Sequence, residues 1–348
     1  MRSGQAIHYA VSQRALAEEV PYYCHNMLDD PLLIHEWFAV ARSTDVPAAE
    51  PVAACLLGRE LVLWRSTNGV RAWQDLCIHR GAKLSLGKVR NDCLVCPYHA
   101  WEYDATGRCV RIPAHPAQVP PLKATARVFR VMERYGLIWV CLGEPLHGLP
   151  DLPELDDPTY RKLLAGPYAF HAQGPRIIEN FLDVAHLPIV HGGWLGDSEH
   201  AEMADYTVEV SADGIIARDI AIWQPDPDGA ARPAKVLYTY QVHRPLTASF
   251  RKLHNGQSFL MVDIVTPIDE QNSTAWAILA LNYGHDLPDS DLLDFQDKIT
   301  MQDKPVVESQ RPELLPLDLQ AELHLRSDKT AIAYRRWLRE IGLSYGTA

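Results

Sequence analysis

No stretch of this sequence approaches the eighteen or so consecutive apolar residues of a membrane-spanning helix, so no such span is expected. Basic residues are in deficit. Lys and Arg number 33 against 44 Asp and Glu, a formal charge of −11, which argues against a nucleic-acid partner. Residues 1–19 lack the apolar core of a signal peptide, and a cytoplasmic location is expected. There is no internal repeat and no low-complexity segment, so a solenoid or fibrous architecture is excluded. The seven cysteines are odd in number and spread through a long chain, which is not the pattern of a disulfide framework. What remains is an ordinary globular composition, 47% hydrophobic and 22% charged, in 348 residues. That length is enough for two domains with sizeable cores.

The patterning changes along the chain. Residues 1–34 read as a polar, partly helical extension ending near Asp29-Asp30-Pro31. From His35 to Gly143 the signal is short strands and turns, including Leu61 to Trp64, an Asn68-Gly69 hairpin turn, and Val70 to Trp73. The run Gly136 to Leu142 closes this unit as a buried strand. Pro, Gly, Asp and Leu then dominate 144–158, the linker candidate. Beyond it come a helix over 176–185, β-type runs at 206–222, 234–251, 258–267 and 273–283, and helices at 289–309 and 327–342. Strands followed by a long helix predict an α+β domain with a helix laid across an antiparallel sheet. The expected units are 1–34, 35–147 and 148–348.

Two constellations carry chemistry. Cys77-Ile78-His79 and Cys96-Pro97-Tyr98-His99 are separated by sixteen residues. Two thiolates and two imidazoles can hold a [2Fe–2S] cluster, with both cysteines on one iron and both histidines on the other. Neutral imidazole in place of anionic thiolate makes such a cluster easier to reduce. A structural zinc with the same four ligands is the alternative, although zinc sites more often repeat Cys-x₂-Cys or pair their histidines. The remaining cysteines (Cys24, Cys55, Cys93, Cys109 and Cys141) read as buried thiols.

The second constellation is Asn180, Asp183, His186 and His191. On a helix Asp183 and His186 share a face, and Pro188 lets His191 swing toward the same point. Two imidazoles and one carboxylate make the facial triad of non-haem Fe(II) sites, with positions left open for O₂ and substrate. The closing helix offers further carboxylates at Asp291, Asp294, Asp297 and Asp303. Each residue alone has a plainer reading as a surface histidine or a solvated helix charge.

The pattern as a whole resembles the Rieske non-haem iron oxygenases. Cys-Ile-His-Arg-Gly-Ala from Cys77 and Cys-Pro-Tyr-His-Ala-Trp from Cys96 resemble the cluster loops of ring-hydroxylating and demethylating members. The respiratory-type protein carries an extra cysteine in each loop, at positions that are Ala82 and Tyr98 here. Ala100 stands where the family usually has glycine. The spacing N-x₂-D-x₂-H-x₄-H resembles the iron-binding motif of the catalytic domain, and Met301 to Glu308 resembles the element that donates the carboxylate, at Asp303. Segments 56–64, 80–87 and 334–340 look like the caffeine N-demethylases and saxitoxin-tailoring hydroxylases.

The resemblance implies an all-β Rieske domain followed by an antiparallel-sheet helix-grip (START-like) catalytic domain. It implies the cluster on Cys77, His79, Cys96 and His99, and mononuclear Fe(II) on His186, His191 and Asp303, with Asn180 near the iron. Asp183 would bridge His186 to His99 of a neighbouring subunit, which implies a homo-oligomer, a trimer by preference. A separate flavin/iron–sulfur reductase would supply electrons from NAD(P)H, so the chain itself would meet NAD(P)H only indirectly. An acidic surface would suit docking of that donor. With O₂ as co-substrate, one oxygen would enter a C–H bond of an aromatic or nitrogen-rich heterocyclic small molecule, or a methyl group that leaves as formaldehyde. The alternatives are cis-dihydroxylation of an aromatic ring, and a pure electron-transfer protein whose second domain only binds.

Overall fold

The structure is a computed structural model describing residues 27–227 and 232–348; the expected helical extension lies largely outside them. Ten short strands come first. They are β1 (Phe38–Arg42), β2 (Val52–Leu56), β3 (Arg59–Ser66), β4 (Gly69–Gln74), β5 (Lys88–Arg90), β6 (Cys93–Val95), β7 (Glu102–Tyr103), β8 (Cys109–Arg111), β9 (Val128–Arg134) and β10 (Leu137–Cys141). They form a six-stranded sheet in the order β1-β10-β9-β4-β3-β2 and a four-stranded sheet in the order β5-β6-β7-β8.

The central run of β3 is apolar on both faces because both faces are covered. Leu61 and Leu63 enter the main core. Val62 and Trp64 instead pack with Trp73, Leu84, Leu94 and Tyr103 around Cys77 and Cys96. β10 divides in the same way, with Ile138 and Val140 in the main core and Leu137 and Trp139 packed against the second half of the chain.

After a turn of helix α1 (Pro153–Asp156), the second half builds one antiparallel sheet of seven strands. These are β11 (Arg161–Phe170), β12 (Thr207–Ser211), β13 (Gly214–Gln224), β14 (Ala234–Arg244), β15 (Thr247–His254), β16 (Gln257–Pro267) and β17 (Ser273–Leu281), ordered β11-β17-β16-β15-β14-β13-β12. Leu260, Val262 and Ile264 of β16 and Trp276 and Ile278 of β17 face Leu137 and Trp139. The alternate residues face the other way, toward α2 (Gly174–Leu182), α3 (Leu187–Val190), α4 (Asp289–Ser309) and α5 (Lys329–Ile341).

The fold is therefore α+β, a first half of strands with no α-helix among the described residues and a helix-covered antiparallel sheet. The run at 234–251 splits at Pro245-Leu246 into β14 and β15. β11 had no periodic signal, because Gly166-Pro167 interrupts its pairing with β17. Among the described residues no helix is long and apolar enough to cross a membrane. Cys93, Cys109 and Cys141 are free thiols. Cys55 corrects the buried-thiol reading, since it is disulfide-bonded; proximity in space is invisible to spacing. Cys24 lies outside the described residues.

Candidate functional site

Cys77 and Cys96 begin two loops of identical hydrogen bonding. The Cys77 N–H donates to Ala82 O (2.8 Å), and the Gly81 N–H returns to Cys77 O (2.9 Å). The Cys96 N–H donates to Trp101 O (2.9 Å), and the Ala100 N–H returns to Cys96 O (3.1 Å). Closing each ring needs a left-handed residue four places after the cysteine, and Gly81 (φ 72°) and Ala100 (φ 54°) supply it. The alanine carries the strain that glycine would avoid.

Both thiols are buried, and Cys77 Sγ lies 3.2 Å from the Tyr103 hydroxyl. Burial raises the Cys96 pKa and raises that of Tyr103 strongly, which keeps both neutral without a metal. The His79 and His99 rings meet edge-on at 4.6 Å, and His79 stacks on Trp101 at 4.4 Å. His79 Nδ1 is buried with no partner, an orphan that a metal would satisfy. His99 is exposed, in company with exposed Ile78 and Tyr98.

The second constellation assembles differently from its expected helical face. α2 ends at Leu182, and Asp183 is extended (ψ 119°) because its carboxylate accepts the Ala185 N–H at 2.8 Å, a turn that ends the helix. Pro188 starts a new short helix, α3, with His186 and His191 at its two ends. Asp303 reaches them from α4. Its Oδ1 is 3.1 Å from His191 Nε2 and 3.4 Å from His186 Nε2. One potential ligand atom from each of the three lies within 4.8 Å of the others, and Asp303 Oδ1 is buried without a hydrogen bond. Three convergent donors around an unsatisfied point fit one metal ion.

Burial lowers the His186 pKa. At His191 burial works in the same direction, but contact with Asp303 and Gln302 outweighs it and the pKa is raised. The other acids of α4 do not join the group; Asp297 instead accepts the Tyr168 hydroxyl at 2.6 Å. Asp183 Oδ2 is 3.8 Å from His186 Nδ1, beyond hydrogen-bond reach, and its carboxylate is 41% exposed.

Gln302 was missed by motif reading because it stands where the resembled element has a glutamate. Its Oε1 is 2.9 Å from His191 Nδ1, which suits a proton on Nδ1 and would leave the Nε2 lone pair for a metal held between His191 and Asp303. Arg176 of α2 is fully buried and structural, bound to Glu322 and Pro312 O at 2.8 Å each.

A cavity of about 510 Å³ opens beside the three residues, with Asn180 in its wall. Phe181, Tyr238, Tyr240, Phe250 and Phe259 give it aromatic sides. Asp263 of β16 faces into it, its pKa pushed by burial to about 7.

Residues 36–129 match the Rieske [2Fe-2S] domain, and residues 170–343 match the vanillate O-demethylase oxygenase C-terminal domain. Methylxanthine N1-demethylase NdmA of Pseudomonas putida is 33% identical over 323 residues, 89% of each chain. Its structure with caffeine superposes with a TM-score of 0.77 at 31% identity, covering 89% of this chain and 91% of that one. Dicamba monooxygenase bound to dicamba gives 0.76 at 25% identity, covering 89% and 97%. Oxidoreductase NdmD of P. putida is 41% identical over 114 residues, 32% of this chain and 19% of that protein. These matches favour a [2Fe–2S] cluster over a structural zinc and an oxygenase over a purely electron-carrying chain. The chain thus belongs to the Rieske non-haem iron oxygenases and is a terminal oxygenase component, with a [2Fe–2S] cluster, a mononuclear iron and O₂ as co-substrate.

Proposed function

We propose that this oxygenase hydroxylates or oxidatively demethylates an aromatic or nitrogen-rich heterocyclic small molecule held in the chamber beside His186, His191 and Asp303. The observation that carries this reading is the juxtaposition itself. Three convergent metal ligands form one end of an aromatic-walled cavity of about 510 Å³, a size suited to a small flat substrate. The relatives named for N-demethylation and monooxygenation support monooxygenation over dihydroxylation.

In this reading Cys77, His79, Cys96 and His99 hold the cluster, and His186, His191 and Asp303 hold the iron. When bound there, the cluster would supply a stored electron and the iron would offer open positions for O₂ and substrate. The residues do the rest. Gln302 fixes the tautomer of His191, the aromatic walls exclude water and orient the ring, and Asn180 borders the space next to the iron. A separate reductase delivers the electrons.

Asp183 is the inter-subunit relay. It is half-exposed beside His186, while His99 is exposed at the rim of the cluster among apolar side chains. Two such surfaces pair across copies of the chain, which makes a trimer ring the working assembly. The domains divide at about 35 and 148.

Metal analysis tests the assignment. The protein should hold close to three irons per chain, and Asp303→Ala should hold two with its visible cluster spectrum intact. Three irons retained in Asp303→Ala would refute that ligand. Asp183→Ala should keep all three irons and lose reductase-driven turnover; unchanged turnover would remove the relay role.

A further inference from the structure

Asp263 is the one acid on the chamber-facing side of β16, in line with Phe259, Met261 and Val265. Its neighbours across the sheet are Ala248 on β15 and Ala277 on β17. The row on one side of it carries Phe250, Met261 and Leu279, side chains large enough to fill the space above the sheet, and the row on the other side carries Val265 and Ala275. Small residues on both flanks therefore leave the carboxylate uncovered on the cavity side.

Asp263 is 7% exposed and makes no ion pair among the described residues. A buried carboxylate without a counter-charge is costly and is retained where something arrives to pair with it. Elsewhere in the lining acids outnumber bases: besides Asp303 at the iron site, Asp226 and Asp291 stand against Lys252, the one lysine or arginine among the described lining residues. Lys252 is already turned to Pro227 O at 2.9 Å and to the Phe259 ring. The Tyr240 and Phe250 faces are suited to a cation.

We propose that Asp263 determines specificity by accepting a hydrogen bond from a positively charged, proton-bearing nitrogen of the substrate. This deepens the preceding reading and rests on the chamber being the substrate site. The substrate class narrows to aromatic-sized amines that are protonated at neutral pH, and disfavours neutral heterocycles and carboxylates.

The test is direct binding, by calorimetry or tryptophan fluorescence, in mildly alkaline buffer with three probes of similar shape. These are N,N-dimethylbenzylamine (cationic), isobutylbenzene (neutral) and phenylacetate (anionic). On the wild-type holoenzyme the amine should bind about tenfold or more tighter than the other two. Asp263→Asn, which keeps the shape and removes the charge, should erase that preference and leave isobutylbenzene within about twofold. Phenylacetate binding as tightly as the amine to the wild type would overturn the proposal with no variant needed. So would an Asp263→Asn protein that keeps the preference. If Asp263 only balances the charge of the iron, Asp263→Asn will change iron retention and leave the preference intact, which also overturns it. Ala277→Phe fills the chamber and should abolish isobutylbenzene binding. If binding survives there, the substrate-chamber reading fails as well; if it is lost while the amine preference is absent, only the Asp263 assignment fails.

Discussion

At the scale of single residues, Ala100 shows how the proposed cluster loop tolerates a left-handed position without glycine. Its left-handed conformation is demanded by the ring of hydrogen bonds around Cys96, not by its own side chain. Ala100→Gly should relieve that strain, partly offset by the greater entropy of an unfolded glycine, and stabilise the protein by about 0.5–1 kcal/mol. Urea denaturation of the cluster-loaded protein would measure this; a loss of stability would mean the loop is not strained there. His243 gives a second prediction. It is buried, with Nε2 2.7 Å from Ser249 Oγ, and burial, reinforced by Arg251 and Arg244, lowers its pKa to about 4. The unfolded chain takes up a proton near pH 6.5 and the folded one does not. Its contribution to stability is therefore complete above about 6.5 and is lost as pH falls toward 4. Between pH 7 and 4.5 the wild type should lose about 2–3 kcal/mol more than His243→Gln. Glu36, raised by burial to about 7, shifts stability in the opposite direction but equally in both proteins. Parallel stability–pH curves would contradict the assignment.

At the scale of elements, α2 is held in place by charge. Arg335 of α5 is buried and grips Glu179 of α2 at 2.5 and 2.8 Å, while Arg176 and Glu322 complete the network. This anchors the helix that carries Asn180 and delivers Asp183. Arg335→Met removes one partner and leaves Glu179 buried, so a loss of about 3–5 kcal/mol is expected in denaturation experiments. A loss below about 1 kcal/mol would place the anchor elsewhere. The helices α4 and α5 and most strands were legible, because apolar periodicity and turn residues declare them locally. The helix expected through Ala185 was not, because Asp183 competes for backbone hydrogen bonds and stops it at Leu182. β11 was missed because Gly166-Pro167 breaks its alternation, and only pairing with β17 makes it a strand.

At the scale of the whole molecule, the first half packs on the back of the seven-stranded sheet through Leu137, Trp139 and their partners on β16 and β17. The other face of that sheet is left for the chamber. The cluster loops sit in their own small core and present His99 outward. If electrons cross between subunits, the protein should run at three times its chain mass in analytical ultracentrifugation. Co-expressing Cys96→Ala with Asp303→Ala should also restore part of the turnover that each lacks alone. No recovery in confirmed mixed assemblies would confine transfer to one chain.

The sequence by itself determined the chemistry. Cys77, His79, Cys96 and His99, then Asn180, Asp183, His186 and His191, are recognisable because ligands that share a loop or a helix end must keep a short fixed spacing. Tertiary structure alone decided what depends on distant segments meeting. It brought Asp303, already marked by its motif, onto His186 and His191, placed Gln302 under His191, and turned Asp263 toward the chamber. Those contacts come from the packing of α4 and β16 around a common cavity, and no local pattern encodes which face of a strand will line it.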